Sequence, residues 1–197
     1  MASLNEMQVR EGSTIIIETI VTTLNEQGEA NFAPMGVTIG EGEVLIRPYT
    51  DSATYRNLVA TGAAVVNLTD NCRLFAESAV SNPQFPTVPA ELVTGLVLTD
   101  ACSYYECSVM HADTAAPRAT FRCKIVKKGV LRDFIGFNRA KNAIIEAAIL
   151  ATRVRLLGVE TILQEYRRLF EIVQKTGGEQ ELQAMAYFQN YVERQPR

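Results

Sequence analysis

The sequence predicts a mainly β protein with added α-helices, in which a small closed barrel is followed by a helical segment. Between residues 13 and 130, runs rich in β-branched residues are separated by short turns that contain Gly or Asn. After Phe137 the apolar residues recur with the 3.6-residue period of an α-helix. No linker rich in Gly or Ser separates the two parts, so we expect a barrel domain over residues 1–137 and helices packed on it over residues 138–197.

The barrel is predicted to begin with a hairpin. Strands over residues 13–24 and 30–39 flank a turn at Asn25–Gly28, and Gly40–Gly42 forms the turn into a third strand over residues 43–49. The later elements are one short helix over residues 53–61, a buried strand over 63–68, a proline-rich loop over 81–89, and two long strands over 95–112 and 118–130. Many strands joined by short turns favour a barrel over a parallel sheet.

Three helices are predicted after Phe137. Asn138 is a suitable N-cap for a helix that runs to Gly158, and further helices follow over residues 159–176 and 179–193. The first of them has its polar residues on one stripe: Arg139, Asn142, Glu146 and Arg153. Because this helix is apolar nearly all round, Glu146 is expected to be buried and paired with Arg153 or Arg139.

The composition excludes several classes of function. The net charge is −3 and no basic run exceeds two residues, which argues against nucleic-acid binding. The N-terminus lacks an apolar signal segment and no apolar run is long enough to span a bilayer, so we expect a soluble, cytoplasmic protein without membrane contact.

The cysteines and the histidine do not form a recognisable catalytic or metal-binding pattern. The four cysteines show no C-x-x-C spacing and His111 is the only histidine, so neither a zinc site nor a Ser-His-Asp triad is expected. Three of the cysteines lie in strand-like sequence. We therefore expect free buried thiols and no bound metal.

One segment has the composition of an anion site. Asp51 or Ser52 can cap the short helix, Thr54 and Asn57 lie one turn apart on it, and Arg47 lies just upstream. A phosphate there would meet free N–H groups, hydroxyls and a guanidinium. The same residues also fit a capped connector helix in which Asn57 bonds a local carbonyl group.

The preceding strand is interrupted in a way that suggests a ligand. Asn31, Pro34 and Gly36 break an otherwise apolar strand pair, and proline inside a strand belongs at an edge or a bulge. The backbone of Ala33–Gly36 can there bond the edge of a planar heterocycle while Met35 packs nearby. The alternative is an irregular edge strand.

These motifs resemble a known family. NEQGEANFAPMGV, followed by SATYRNL and AAVVNL, is similar to the FMN-binding split-barrel superfamily, which includes flavin reductases, and with FNRAKNAIIEAAILATRVRLL it resembles the uncharacterised domain of unknown function 447. The resemblance covers nearly the whole chain. It implies a homodimeric split β-barrel with one FMN per subunit near the dimer interface.

The resemblance also implies roles for particular residues. Ala33, Pro34, Met35 and Gly36 would line the isoalloxazine next to Asn31. The phosphate would be held by Arg47, Thr50, Ser52, Thr54 and Asn57. Independently of the resemblance, the polar residues at the start of the first C-terminal helix, Asn138, Arg139 and Asn142, are expected to complete the site, from the same or the neighbouring subunit.

Three functions remain open from the sequence. The first is a flavin-dependent oxidoreductase of unknown substrate, in which FMN carries the redox chemistry and no catalytic side chain is required. The second is a non-catalytic FMN-binding, carrier or regulatory protein. The third is a barrel that binds another phosphorylated or pterin-like small molecule. No G-x-G-x-x-G motif follows a strand, which argues against a Rossmann-type nucleotide site.

Overall fold

The computed structural model describes residues 15–196, and within them eight strands form a closed six-stranded barrel and a separate two-stranded ribbon. The strands are β1 (Ile16–Leu24), β2 (Ala30–Ile39), β3 (Glu43–Ile46), β4 (Ala63–Leu68), β5 (Thr87–Pro89), β6 (Leu96–Leu98), β7 (Ser103–Asp113) and β8 (Thr120–Val130). The barrel order is β1-β2-β3-β8-β7-β4, with β4 pairing back onto β1. The predicted barrel with C-terminal helices is confirmed. The predicted start of the first strand at residues 13 and 14 lies outside the described residues.

The barrel is incompletely paired along β2. This strand pairs with β1 from Ala30 to Thr38, but it pairs with β3 only at Thr38 and Ile39. Residues Ala30–Val37 therefore have an edge without a strand partner among the described residues. Pro34 lies in this stretch, opposite Ile20 of β1, which agrees with its predicted position at an edge.

The barrel interior is filled by apolar side chains and closed at one end by a helix. Val21, Val37 and Phe121 belong to the interior cluster. Helix α1 (Ala53–Thr61), at the predicted position, adds Leu58 and Tyr55 to that cluster. The helix ends at Gly62, whose φ of 65° is a left-handed conformation that glycine adopts without strain.

Two elements of the barrel region differ from the prediction. A second helix, α2 (Cys72–Val80), follows β4, so the expectation of one inserted helix was wrong. Asn71 caps α2, Phe75 packs against Ile20 and Phe32 of the barrel, and Ala76 belongs to the core of the C-terminal helices. The proline-rich loop also contains β5, which pairs with β6.

The C-terminal helices form a separate apolar core. They are α3 (Arg139–Thr152), α4 (Val154–Leu157), α5 (Val159–Thr176) and α6 (Glu179–Glu193). Ala147 and Ile144 of α3 pack with Tyr166 of α5 and Phe188 of α6. The helix predicted to run from Asn138 to Gly158 is interrupted at Arg153, which separates α3 from α4.

Glu146 does not have the buried position expected of it. Its side chain is exposed on α3, because the buried face of that helix consists of the small residues Ala143, Ala147 and Ala151 together with Ile144. No ion pair joins Glu146 to Arg139 or Arg153 within residues 15–196. The polar stripe of α3 therefore faces outwards from the subunit.

Candidate functional site

The unpaired edge of β2 carries the residues predicted to face a heterocycle. Ala33, Pro34, Met35 and Gly36 are all partly buried. The Met35 side chain packs against the barrel interior. The backbone carbonyl group of Met35 accepts a hydrogen bond from the Thr19 hydroxyl at 3.0 Å. The structure thus places these four residues in one row beside an open strand edge.

The loop before α1 is held by its own polar groups. The Ser52 hydroxyl donates to the Tyr49 carbonyl at 2.7 Å and accepts from the Tyr55 N–H at 3.2 Å. The Thr50 N–H donates to the Pro117 carbonyl at 3.1 Å, which ties the loop to the chain just before β8. Ser52 therefore acts as the N-cap, and the loop presents a fixed backbone at the positive end of the helix.

Thr54 and Asn57 lie on the face of α1 that packs against the barrel. They are 2% and 6% exposed. The Asn31 amide donates to the Thr54 hydroxyl at 3.1 Å, and the Asn57 amide donates to the Thr23 hydroxyl at 3.0 Å. In the subunit these groups join α1 to β1 and β2, so Thr54 holds Asn31 in place at the strand edge.

Three arginines surround the loop, of which the sequence pointed only to Arg47. The exposed Arg47 donates to the Thr38 hydroxyl at 3.3 Å, where β2 meets β3. Arg56 of α1 donates to the Asp51 carbonyl at 2.7 Å. Arg118 lies 4.4 Å from the centre of the Tyr49 ring. Arg56 follows Ser52 by one helical turn, a spacing that could have identified it, whereas Arg118 is brought in by the bridge between Tyr49 and Arg118 and has no local signal.

A cavity of about 480 Å³ lies between the β1–β2 turn and α1. This volume is within the range of about 300–1,000 Å³ that is usual for small-molecule sites. Its lining includes two of the predicted residues, Asn31 and Asn57, together with Ala53 and Arg56. The strand edge, the loop and this cavity together form the candidate site.

The predicted residues at the start of α3 lie elsewhere. Asn138 caps α3 by accepting from the Lys141 N–H at 3.1 Å and donates to the Thr176 carbonyl at 2.9 Å. Arg139 is exposed. Asn138 lines a second cavity, of about 400 Å³, and no hydrogen bond within residues 15–196 joins it to the strand edge or the loop. Its role in a cofactor site stays a prediction.

The segment between β8 and α3 is anchored by a carboxylate. Asp70 accepts from Arg132 at 2.5 Å and from the Ile135 N–H at 3.0 Å, and its side chain is 5% exposed. Burial alone would raise the pKa of Asp70, but these hydrogen bonds and the Arg132 charge lower it to about 2. Asp70 therefore holds residues 131–137 against the barrel as an ionised group.

Asp70→Asn is expected to destabilise the protein by on the order of 2 kcal/mol at pH 7. A carboxyl whose folded-state pKa lies below its ordinary 3.8 stabilises the fold above that pH, and the contribution is lost as the pH falls from about 4 towards about 2. Urea unfolding at several pH values measures this. Between about pH 4 and pH 2 the free energy of unfolding of the variant should fall less steeply than that of wild type. The same pH dependence in both proteins would contradict the ionised, stabilising role of Asp70.

The described residues give no sign of a metal centre or a membrane span. Within residues 15–196 no group of three or more His, Cys, Asp or Glu side chains could hold a metal ion. None of the helices in that range has the length and apolar character needed to cross a bilayer. All four cysteines are free and buried, as expected, and burial raises the pKa of Cys72, Cys107 and Cys123 to about 12.

Solved structures share this architecture. An FMN-bound DUF447 protein from Methanosarcina mazei is 24% identical to the chain with a TM-score of 0.78, and 91% of this chain and 96% of that chain are covered. Nitrilotriacetate monooxygenase component B from Bacillus cereus is 20% identical with a TM-score of 0.53, covering 66% and 81%. Flavoredoxin of Desulfovibrio vulgaris (Miyazaki F) is 14% identical with a TM-score of 0.52, covering 63% and 76%. At these identities the similarity shows the fold, a split β-barrel.

The sequence also matches two models of one family. Residues 17–132 match the N-terminal domain described as "protein of unknown function (DUF447)", and residues 138–189 match the model that follows it, which is described in the same words. A comparison with curated proteins gives no match. Because the two matches span most of the chain, the protein belongs to the DUF447 family.

Proposed function

We propose that the protein binds FMN in the groove between the unpaired edge of β2 and the loop that precedes α1. The observation that carries this proposal is the open edge of β2 at Ala30–Val37. The backbone N–H and C=O groups that point away from β1 have no strand partner there among residues 15–196. They are therefore free to form hydrogen bonds with the edge of an isoalloxazine ring. The family member from Methanosarcina mazei that contains FMN supports the choice of cofactor.

The phosphate of FMN would lie at the N-terminal end of α1. Arg47, Thr50 and Ser52 bring a guanidinium group, a hydroxyl-bearing loop and the positive end of a helix to this place. Arg56 and Arg118 add positive charge to the same loop. Thr54 and Asn57 would support the site from beneath by holding Asn31 and Thr23.

The bound flavin would supply redox chemistry, and the chain would hold and orient it. We infer a flavin-dependent oxidoreductase, because the neighbours of similar fold include a monooxygenase component and a flavoredoxin. In this assignment the strand edge fixes the ring, and the arginines fix the phosphate. The subunit then needs no side-chain nucleophile.

We also propose a cytoplasmic homodimer. Large apolar side chains are exposed on one region of the subunit that comprises the start of β1 and the segment before α3: Ile15 75%, Ile16 61%, Phe134 54%, Ile135 70% and Phe137 96%. An apolar surface of this kind is typical of an interface. Light scattering should give twice the mass of one chain. The four reduced thiols favour a reducing compartment.

The experiment that tests the function is extraction of the bound cofactor followed by anaerobic reduction. The purified protein should be yellow and should release FMN on denaturation. Bleaching of the bound flavin by NADH or NADPH would establish an oxidoreductase. A bound flavin that stays oxidised with both nucleotides would instead favour a carrier.

A further inference from the structure

The second cavity, of about 400 Å³, lies on the outer side of the barrel and is lined by none of the residues of the proposed FMN groove, although Asn138 and Asn142, predicted to complete the cofactor site, lie on its wall. Its floor is formed by the buried side chains of Cys72, Phe75 and Cys102. Its mouth is bordered by Ile16, Phe134 and Phe137, which belong to the apolar surface proposed above for the dimer interface, so in the homodimer the cavity would open at that interface. The walls are therefore largely apolar and aromatic, which suits a flat, uncharged ring system.

Glu18, which is exposed in the subunit, provides a carboxylate among the residues that line this cavity. It forms no hydrogen bond or ion pair within residues 15–196. Lys141, on the cavity wall, pairs with Glu181 at 2.9 Å, and Arg132 pairs with Asp70, which also lines the cavity. Partial desolvation raises the pKa of the Glu18 carboxyl, and the charge of Glu146 on α3 raises it further.

The position of Glu18 connects the cavity with the flavin-lining strand. Glu18 lies opposite Gly36 in the β1–β2 register. A Cβ atom added to Gly36 would come within 3.3 Å of Glu18 Oε1 and within 2.4 Å of Ile16 Cγ2. The side chains of the cavity wall therefore lie directly over Gly36, the last residue of the segment assigned to the isoalloxazine ring.

We propose that this cavity binds a flat aromatic or heteroaromatic compound with an amino-substituted edge, whose N–H groups donate to Glu18. The apolar walls would take the ring, and the Glu18 carboxylate, with the negative charge of Glu146 close to it on α3, would favour a donor-rich or cationic edge over an anionic one. We assign this cavity as the substrate pocket of the proposed oxidoreductase. That assignment rests on the proposed FMN site, because the cavity lies beside a redox cofactor only if FMN binds there. The binding itself does not depend on that site.

Equilibrium dialysis of the full-length protein against two probes tests the proposal. The probes are 2-aminoquinoline, which carries the amino-substituted edge, and quinoline, which has the same rings without it. Wild-type protein should bind 2-aminoquinoline about 10-fold more tightly than quinoline. Glu18→Gln keeps the shape of the side chain but removes its charge, and it should bring the two affinities to within about 3-fold. Glu171→Gln, an exposed change on α5, should leave the preference unchanged.

Several results would overturn the proposal. Equal affinities of the two probes for wild type, an unchanged preference in Glu18→Gln, or no saturable binding of either probe would each do so. Dialysis is performed on protein freed of FMN and then repeated with FMN added. A protein that shows the preference but fails to bind FMN would refute the FMN site alone, and one that binds FMN without the preference would refute this pocket alone.

Discussion

Arg47→Ala is expected to weaken FMN binding about 10- to 100-fold and to leave the affinity for riboflavin within about 3-fold of wild type. A charge-assisted hydrogen bond to a phosphate contributes about 1.5–3 kcal/mol, and every 1.4 kcal/mol is a factor of ten in affinity. Riboflavin has the same ring and ribityl chain without the phosphate. The difference between the two ligands therefore isolates the phosphate contact, and quenching of flavin fluorescence during titration measures both affinities.

The matched control for this change is Arg167→Ala. Arg167 is an exposed arginine on α5, among the C-terminal helices. Its replacement removes the same charge and should leave both affinities unchanged. Equal weakening of FMN and riboflavin binding by Arg47→Ala would show that the residue acts on the ring or on the fold, and the phosphate assignment would then be wrong.

Glu181→Ala is expected to lower the free energy of unfolding by about 3 kcal/mol. The Glu181 side chain is 8% exposed, and it accepts from Lys141 at 2.9 Å and from the Gly178 N–H at 2.8 Å. Removing the carboxylate leaves the Lys141 ammonium, itself 16% exposed, without its partner. Because Lys141 is on α3 and Glu181 on α6, the change loosens the helical core where these helices meet α2. Urea denaturation followed by circular dichroism measures it.

A double variant separates the ion pair from general loss of packing. Lys141→Met combined with Glu181→Leu replaces both charges by apolar groups of similar size and should be less destabilising than Glu181→Ala alone. Glu179→Ala, an exposed change in the first turn of α6, is the control and should cost less than about 1 kcal/mol. A Glu181→Ala variant as stable as this control would show that the buried pair does not hold the helices together.

Local patterns were sufficient to predict much of the fold. The strand break at Pro34 and the capping residues Asp51 and Ser52 indicated the open edge and the start of α1, and the structure assigns the cap to Ser52. Helix α2 was missed because nine residues are too few for intrinsic helix propensity to decide. It is stabilised by contacts that the sequence does not show, with Phe75 on the barrel and Ala76 on the helical core.

The candidate site was less predictable than the fold, for reasons of tertiary placement. Thr54 and Asn57 were correctly placed on one helix face, but that face turned out to contact the barrel. Glu146 was expected inside because its neighbours are apolar, yet small alanines form the packed face of α3 and leave it outside. Arg118 and Glu18 reach their positions through strand pairing with distant parts of the chain, which a single sequence does not reveal.

The most direct test of the central claim is a titration of the cofactor-free protein with FMN, followed by quenching of flavin fluorescence. The proposed FMN groove predicts saturable binding of one FMN per chain, with inorganic phosphate competing weakly and riboflavin binding less tightly than FMN. A protein that shows no saturable binding of FMN, or that binds riboflavin and FMN with the same affinity, would contradict it.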